Sequence, residues 1–381
     1  MNENIQKGKI LIVAGEASGD HHAADLVKAI KKNNPQLDFI GVGGDAMRAA
    51  GVDLLYHISQ LAFLGFAEII KHLPFILKVL KTIKTELQQD TRAIILVDYP
   101  GLNLRIARIA KKMKVPVIYY ISPQLWAWRE KRIAKIRRFV DLLLVIFRFE
   151  VEFYKKHNIT AHFSGHPMVD QIRIQQTESE FRKANNLPTD KPILGIFPGS
   201  REMEVKNLLP VLLESAAKIR REFDCLPVIG CAPQLSESLY DKLRENYPGI
   251  PAIRSQTHQL MHFSHCAMVA SGTATLELGY LQTPMVVLYS VSPLTYRLGK
   301  MLIKINNIAM VNIVLGKTVV PELIQENITV ENIVSEIGRY FAEPGYHNII
   351  VAELGAIKTV LGDRGASQRA ADKITAFLND I

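Results

Sequence analysis

Asp98 closes the apolar run at residues 93–98 (AIILVD) and is followed at once by Tyr99, Pro100 and Gly101. A carboxylate at a strand end, just ahead of a Pro-Gly turn, has two uses. It caps the next helix, or it stands at the sheet edge as a general base for a hydroxyl nucleophile. Farther along, FPGSREMEV (197–205) leaves an apolar run through Gly199 and Ser200 and enters a helical pattern with Arg201 at the turn. Backbone N–H groups at a helix start attract an anion, and an arginine fork matches phosphate oxygens. The stretch 271–277 (SGTATLE) repeats the device: Ser271, Gly272 and Thr273 lead into a helix that carries Thr275 and Glu277. A carboxylate one turn inside such a helix can accept both hydroxyls of a ribose. Two such loops in one half of the chain point to a nucleoside diphosphate.

A third loop, GEASGD (15–20), also follows an apolar run but lacks the G-x-G-x-x-G spacing of a dinucleotide site. Glu16 and Asp20 would repel a diphosphate and suit sugar hydroxyls. The simpler reading is a tight strand-to-helix turn with Ser18 or Asp20 as the helix cap.

Other features carry weaker signals. SPQLWAWREKRIAKIRR (122–138) sets two tryptophans among basic residues, which fits a phosphorylated ligand or a membrane surface as well as it fits nucleic acid; no nucleic-acid motif accompanies it. His258, His262 and His265 share a helical face with Cys266 beside them. The helix is needed as scaffold for the strand that follows, so these histidines are read as structural and no metal is expected. The three cysteines, Cys225, Cys231 and Cys266, form no C-x-x-C pair, and residues 1–9 are polar, unlike a signal peptide. A reducing cytoplasm is the expected setting. With 48% hydrophobic and 22% charged residues and a net charge of +9, a folded protein with an anionic partner is expected. The apolar stretch 61–80 is broken by Glu68, Lys71, His72, Pro74 and Lys78, too many interruptions for a membrane-spanning helix.

What must position these groups is a series of buried strands. Candidates run at 9–14, 37–42, 93–98, 115–120, 142–147 and 159–165, with helical patterns such as 19–32 and 102–113 between them. After a polar connection at 172–192 the alternation restarts at 193–200, 225–230, 266–271 and 284–289, and the chain is helical from about 329. Continuous apolar strands alternating with helices indicate parallel sheets covered on both faces. The expected architecture is α/β: two Rossmann-like domains, 1–170 and 171–364, facing a cleft at the carboxyl ends of their strands.

Taken in order, GEASGD, VDYPGLN (97–103), SP-x-x-WAWR, GHP-x-x-D (165–170), PGSR-x-x-E, SGTATLE and PELIQ (321–325) closely resemble the lipid-A-disaccharide synthase family of GT-B glycosyltransferases. The resemblance runs from about residue 9 to the C-terminal helices. It implies an inverting transfer of a diacylated glucosamine from UDP-2,3-diacylglucosamine to 2,3-diacylglucosamine 1-phosphate (lipid X), giving a β-1′,6-linked disaccharide phosphate and UDP. It implies further that Asp98 is the base. Glu16, Ser18, Gly19 and Arg129 would shape the acceptor side. Gly199, Ser200, Arg201, Ser271, Gly272, Thr273, Thr275, Glu277, Asn312 and Gln325 would hold the donor. The chain has no D-x-D motif, so Arg201 and the two helix starts would stabilise the leaving group, with no cofactor. Val311–Asn312 stands where a Pro-Asn pair is usual in that family.

The acylated substrates give the 61–80 stretch a use. Phe63, Leu64, Phe66, Ile69, Ile70 and Leu73 would contact acyl chains or the inner leaflet, with Arg129, Lys131 and Arg132 against anionic phospholipid headgroups or the acceptor phosphate, making the protein peripheral on the cytoplasmic face of the inner membrane. The alternative is a helix packed in the first domain. The last segment, 365–381, is expected to cross back onto the first domain, or to be exchanged in a homodimer. Two rival functions share this architecture: a UDP-N-acetylglucosamine 2-epimerase, and a binding protein without catalysis.

Overall fold

A computed structural model describes residues 8–60, 73–126, 132–291 and 307–381. The chain divides into two compact units, 1–170 with 361–381, and 171–360.

The first unit is a parallel sheet of seven strands in the order β3-β2-β1-β4-β5-β6-β7. The strands are β1 Gly8–Ala14, β2 Leu37–Gly43, β3 Val52–His57, β4 Thr91–Val97, β5 Val117–Tyr120, β6 Leu142–Val145 and β7 Ala161–Phe163. Side chains alternate across a strand, so Leu11, Val13, Ile94, Leu96, Val117, Tyr119 and Leu143 build a core on one face. That core is closed by Val79, Ile83 and Leu87 of the helix Leu73–Leu87 and by Ile106 and Ala110 of the helix Pro100–Lys112. Their spacing of four residues presents one helical stripe. Ile10, Ile12, Ile95 and Ile118 alternate with that set and are also fully buried. The helices Ala17–Asn33 and Ala366–Asn379 pack against one another, the first on β1 and the second on β6. Burial on both faces is the reason these strands read as unbroken apolar runs.

The second unit is a parallel sheet of six strands, ordered β10-β9-β8-β11-β12-β13. They are β8 Ile193–Phe197, β9 Leu226–Gly230, β10 Ala252–Ile253, β11 Ser264–Ala270, β12 Met285–Tyr289 and β13 Glu322–Ile324. The strands β3, β10 and β13 are absent from the sequence-based expectation. All three are edge strands, where one side needs no apolar cover and the hydrophobic run is short or broken.

The segment 365–367 is tied to the first unit by Asp170. Its carboxylate accepts from the N–H of Gly365 (2.6 Å), Ala366 (3.4 Å) and Ser367 (3.2 Å), capping the helix Ala366–Asn379. The GHP-x-x-D motif thus closes this unit on the end of its own chain.

Candidate functional site

In the first unit, β1 and β4 are neighbours, with Ala14 paired to Val97. The connections leave these two strands toward opposite edges of the sheet, which makes their carboxyl ends a topological switch point. The loops starting at Gly15 and at Asp98 therefore lie side by side. A Cβ at Gly15 would come within 2.2 Å of the Tyr99 ring, so glycine is required there by the aromatic neighbour.

Asp98 lines a cavity of about 460 Å³ together with Pro100, Ser122, Gln124, Arg132 and Ile146. Burial pushes its carboxyl up to about 6, and the charge of Glu16 pushes in the same direction, against the N–H of Tyr99, which favours the ionised form. A carboxylate with this affinity for protons, facing an open cavity, is suited to take one from a hydroxyl near neutral pH.

Asp20 and Ser18 do not cap their own helix. The N-cap of Ala17–Asn33 is Glu16, with no side-chain bond. Asp20 is buried and instead accepts from the N–H of Gly44 (2.6 Å), Ala46 (3.0 Å) and Met47 (3.1 Å), capping the next helix, Asp45–Ala49. Only the return of β2 beside β1 brings those donors into reach. Glu16 and Ser18 are exposed and Gly19 is buried. A methyl at Gly19 would meet Ala14 at an ordinary 3.6 Å.

Glu150 was not singled out by the sequence reading. It is fully buried, and its carboxylate accepts from Ser122 Oγ (2.8 Å), Trp126 Nε1 (3.3 Å) and the N–H of Ile146 (3.2 Å) and Phe147 (3.0 Å). It thereby fixes Ser122 and Ile146, two walls of the Asp98 cavity. Burial pushes it up to about 7 in spite of the four donors. The available signal was a glutamate three residues after Phe147, the end of the apolar run 142–147, which is the N-cap to N3 spacing of a capping box.

In the second unit a cavity of about 690 Å³ brings together Gly199, Ser200, Arg201, Ser271, Gly272, Thr273 and Glu277. Arg254, Gln234 and His258 line it as well. His258 Nε2 lies 3.7 Å from Glu277 Oε1. The other two histidines diverge from it: His262 is exposed, and His265 stacks on His347 with ring centroids 4.2 Å apart. Among the described residues no group of histidines, cysteines and carboxylates is placed to hold a metal ion.

Three expectations for this half need correction. The N–H groups of Ser200 and Arg201 are not free. Both donate to Glu204 Oε2 (3.1 and 3.2 Å), while Glu204 Oε1 pairs with Arg201 Nη1 at 3.0 Å. Thr275 is fully buried, and its hydroxyl donates to Gly272 O at 2.8 Å, bracing the start of the helix Thr273–Tyr280 without lining the cavity. Asn312 and Gln325 do not line it either. The Asn312 amide is spent on Val320 O, Glu322 Oε1 and the N–H of Val319 and Val320. Gln325 accepts from Val291 N–H and donates to Val291 O. Glu322 holds the N–H of Ile308 and Ala309. These side chains, Asn312 fully buried and Glu322 and Gln325 half-buried, pin the chain on either side of 292–306 and spend their polar atoms within the fold.

Phe63, Leu64, Phe66, Ile69, Ile70, Arg129 and Lys131 lie outside the described residues, as does the side chain of Leu73. Among the described residues no helix is long and apolar enough to cross a membrane.

A family model described as lipid-A-disaccharide synthetase matches residues 10–345. A lipid-A-disaccharide synthase of Geobacter metallireducens is 41% identical over 376 residues, covering 97% of either chain. Among solved structures, the UDP-GlcNAc 2-epimerase of Neisseria meningitidis superposes with a TM-score of 0.60 at 12% identity, over 98% of this chain and 100% of its own. The calicheamicin glycosyltransferase CalG4 gives 0.64 at 14% identity, over 99% of each chain. At such identities the structural likeness is one of fold, two parallel-sheet α/β domains of the GT-B class. The synthase likeness, by contrast, is full-length and in sequence.

Proposed function

Since this chain belongs to the lipid-A-disaccharide synthase family, glycosyltransferases of lipid A biosynthesis, we propose that it joins UDP-2,3-diacylglucosamine to 2,3-diacylglucosamine 1-phosphate by a single inverting displacement with Asp98 as base. The observation that carries the assignment of the base is the Asp98 carboxyl, raised to about 6 and open to a cavity at the end of β4. The acceptor's 6-hydroxyl gives its proton to Asp98 as its oxygen attacks the anomeric carbon. The bond from that carbon to the diphosphate breaks, and UDP departs with the electron pair from the opposite face. Glu16 and Arg132 stand beside the acceptor. The donor takes the cavity of the second unit, with Glu277 on the ribose. Because Glu204 already occupies the N–H groups of Ser200 and Arg201, the diphosphate is assigned to the Arg201 guanidinium and the start of the helix Thr273–Tyr280.

The test is UDP release from UDP-2,3-diacylglucosamine in detergent with EDTA. Release that requires the acceptor and persists in EDTA is expected. UDP that appears without acceptor would overturn the transfer, and conversion of UDP-N-acetylglucosamine to its 2-epimer would favour the rival isomerase reading.

We also propose that the protein docks peripherally on anionic phospholipid at the cytoplasmic face of the inner membrane. Supporting this, Arg105, Arg108, Lys112, Lys135 and Arg138 border a groove of about 960 Å³ beside Phe139. A charged rim with an apolar floor suits a lipid surface. Co-sedimentation with vesicles containing anionic phospholipid is expected to fall for Phe66→Glu with Ile70→Glu. Sedimentation unchanged by the pair would count against the docking.

A further inference from the structure

Asp98 and Tyr99 both adopt left-handed backbone, with φ of 46° and 44°. Few residues other than glycine adopt that conformation, and although aspartate enters it more readily than most, two such residues in succession persist only where their surroundings over-determine them. The restraints converge on the carbonyl of Asp98. Asn103 Nδ2 donates to it at 2.7 Å and to Val97 O at 3.0 Å, while the Tyr119 hydroxyl donates to it at 2.7 Å. Asn103 and Tyr119 are both fully buried. Neither lines the cavity that Asp98 faces. The Asp98 N–H is held separately, by Tyr120 O at 3.1 Å, and Asn103 N–H closes on Tyr99 O at 3.2 Å.

We propose that Asn103 and Tyr119 are positioning residues for Asp98: their two donors lock its carbonyl, and with it the left-handed turn that aims the carboxylate into the cavity. A buried carbonyl at a strand end needs some donor, and a single one would suffice. The second donor, from β5 and not from the helix that carries Asn103, and at the same distance, fixes the rotation of the peptide about the first bond. The inference rests on the reading of Asp98 as base. It assigns work to a residue of the VDYPGLN stretch and to a β5 tyrosine that the transfer itself leaves unused.

The test compares Asn103→Leu and Tyr119→Phe, each made alone and in the Asp98→Asn background, by steady-state kinetics and circular dichroism. A misplaced catalytic group costs rate more than binding. Asn103→Leu is expected to lower kcat roughly 100-fold and Tyr119→Phe roughly 10-fold, with KM for either substrate within about two-fold of the parent. Neither is expected to lower the residual rate of Asp98→Asn further, because groups that act through one residue are not additive with its loss. Full kcat in both variants, or the same fold loss in the Asp98→Asn background, would overturn the proposal. If Asn103→Leu does not fold, Tyr119→Phe, which removes one oxygen, decides alone. An Asp98→Asn protein as active as the parent overturns the base assignment and this inference together. An inactive one beside fully active Asn103→Leu and Tyr119→Phe proteins overturns only the inference.

Discussion

Asp98→Asn is expected to lower kcat by about 10²- to 10⁴-fold, the usual contribution of a positioned base, while UDP affinity stays within about two-fold of the parent. The amide keeps the size and hydrogen-bonding outline of the side chain but cannot take a proton. The donor cavity belongs to the other unit and keeps all its groups. The pH dependence follows from the raised carboxyl. The base works only when ionised, so kcat/KM should rise with pH through about 6 in the parent. Burial is the larger cause of the shift and the charge of Glu16 the second. Glu16→Gln removes only the second, so it should move that acid limb to lower pH without abolishing it. Stability runs the other way. The folded state holds this proton more tightly than the unfolded chain. The stability it contributes is complete below the unfolded pKa near 3.8 and is lost as pH rises through about 6. A pH–rate profile with its acid limb near 4 and unmoved by Glu16→Gln would remove the electrostatic part of the argument.

Glu150→Leu is expected to destabilise the first unit by about 2–4 kcal/mol, because four donors lose their common acceptor and each buried orphan costs about 1–3 kcal/mol. Trp126 is half-buried and recovers part of its loss from solvent. The Ile146 and Phe147 N–H groups, at the mouth of a buried strand, have no such recourse. Denaturant unfolding of parent and variant measures the difference, and a loss below about 0.5 kcal/mol, the range of ordinary surface changes, would refute the account. Activity should fall with it, since Ser122 and Ile146 wall the Asp98 cavity. Glu150→Gln separates size from charge. Burial raises the Glu150 carboxyl to about 7, so the stability it contributes is fully present below about 4.5 and lost as pH rises through about 7. The glutamine variant has no proton to lose, and its stability should vary less across that window.

Much of the candidate site was legible because it lies where short-range rules hold. Asp98, Gly199, Arg201, Ser271 and Glu277 each sit at the end of an apolar strand or within one turn of the next helix. Strand, turn and helix start are read from consecutive residues, and parallel sheets gather such ends on one edge. The same rules did not show the internal partners of Asp20, Thr275 and Asn312. Each carries the right chemistry beside the right loop. Which partners Asp20 and Asn312 meet is fixed by the return of a strand or loop: the Gly44 N–H for Asp20, the Val320 carbonyl and Glu322 carboxylate as acceptors for Asn312. A carboxylate or amide satisfied from within has nothing left for a ligand, and satisfaction is a property of three dimensions.

By itself the sequence determined the two parallel α/β sheets, the succession of loops at their carboxyl ends and the family to which the chain belongs, since apolar periodicity and ordered motifs are written along one dimension. Only the tertiary structure decided that Gly15 makes room for the Tyr99 ring, that Glu16 and burial raise Asp98, that Glu150 ties four donors together, and that Glu204 sits on the N–H groups of the PGSR turn. Each of these joins residues brought together by strand pairing or by the helix that follows a turn. Their energies come from desolvation and from the distance between charges, quantities that do not exist until the chain has closed on itself.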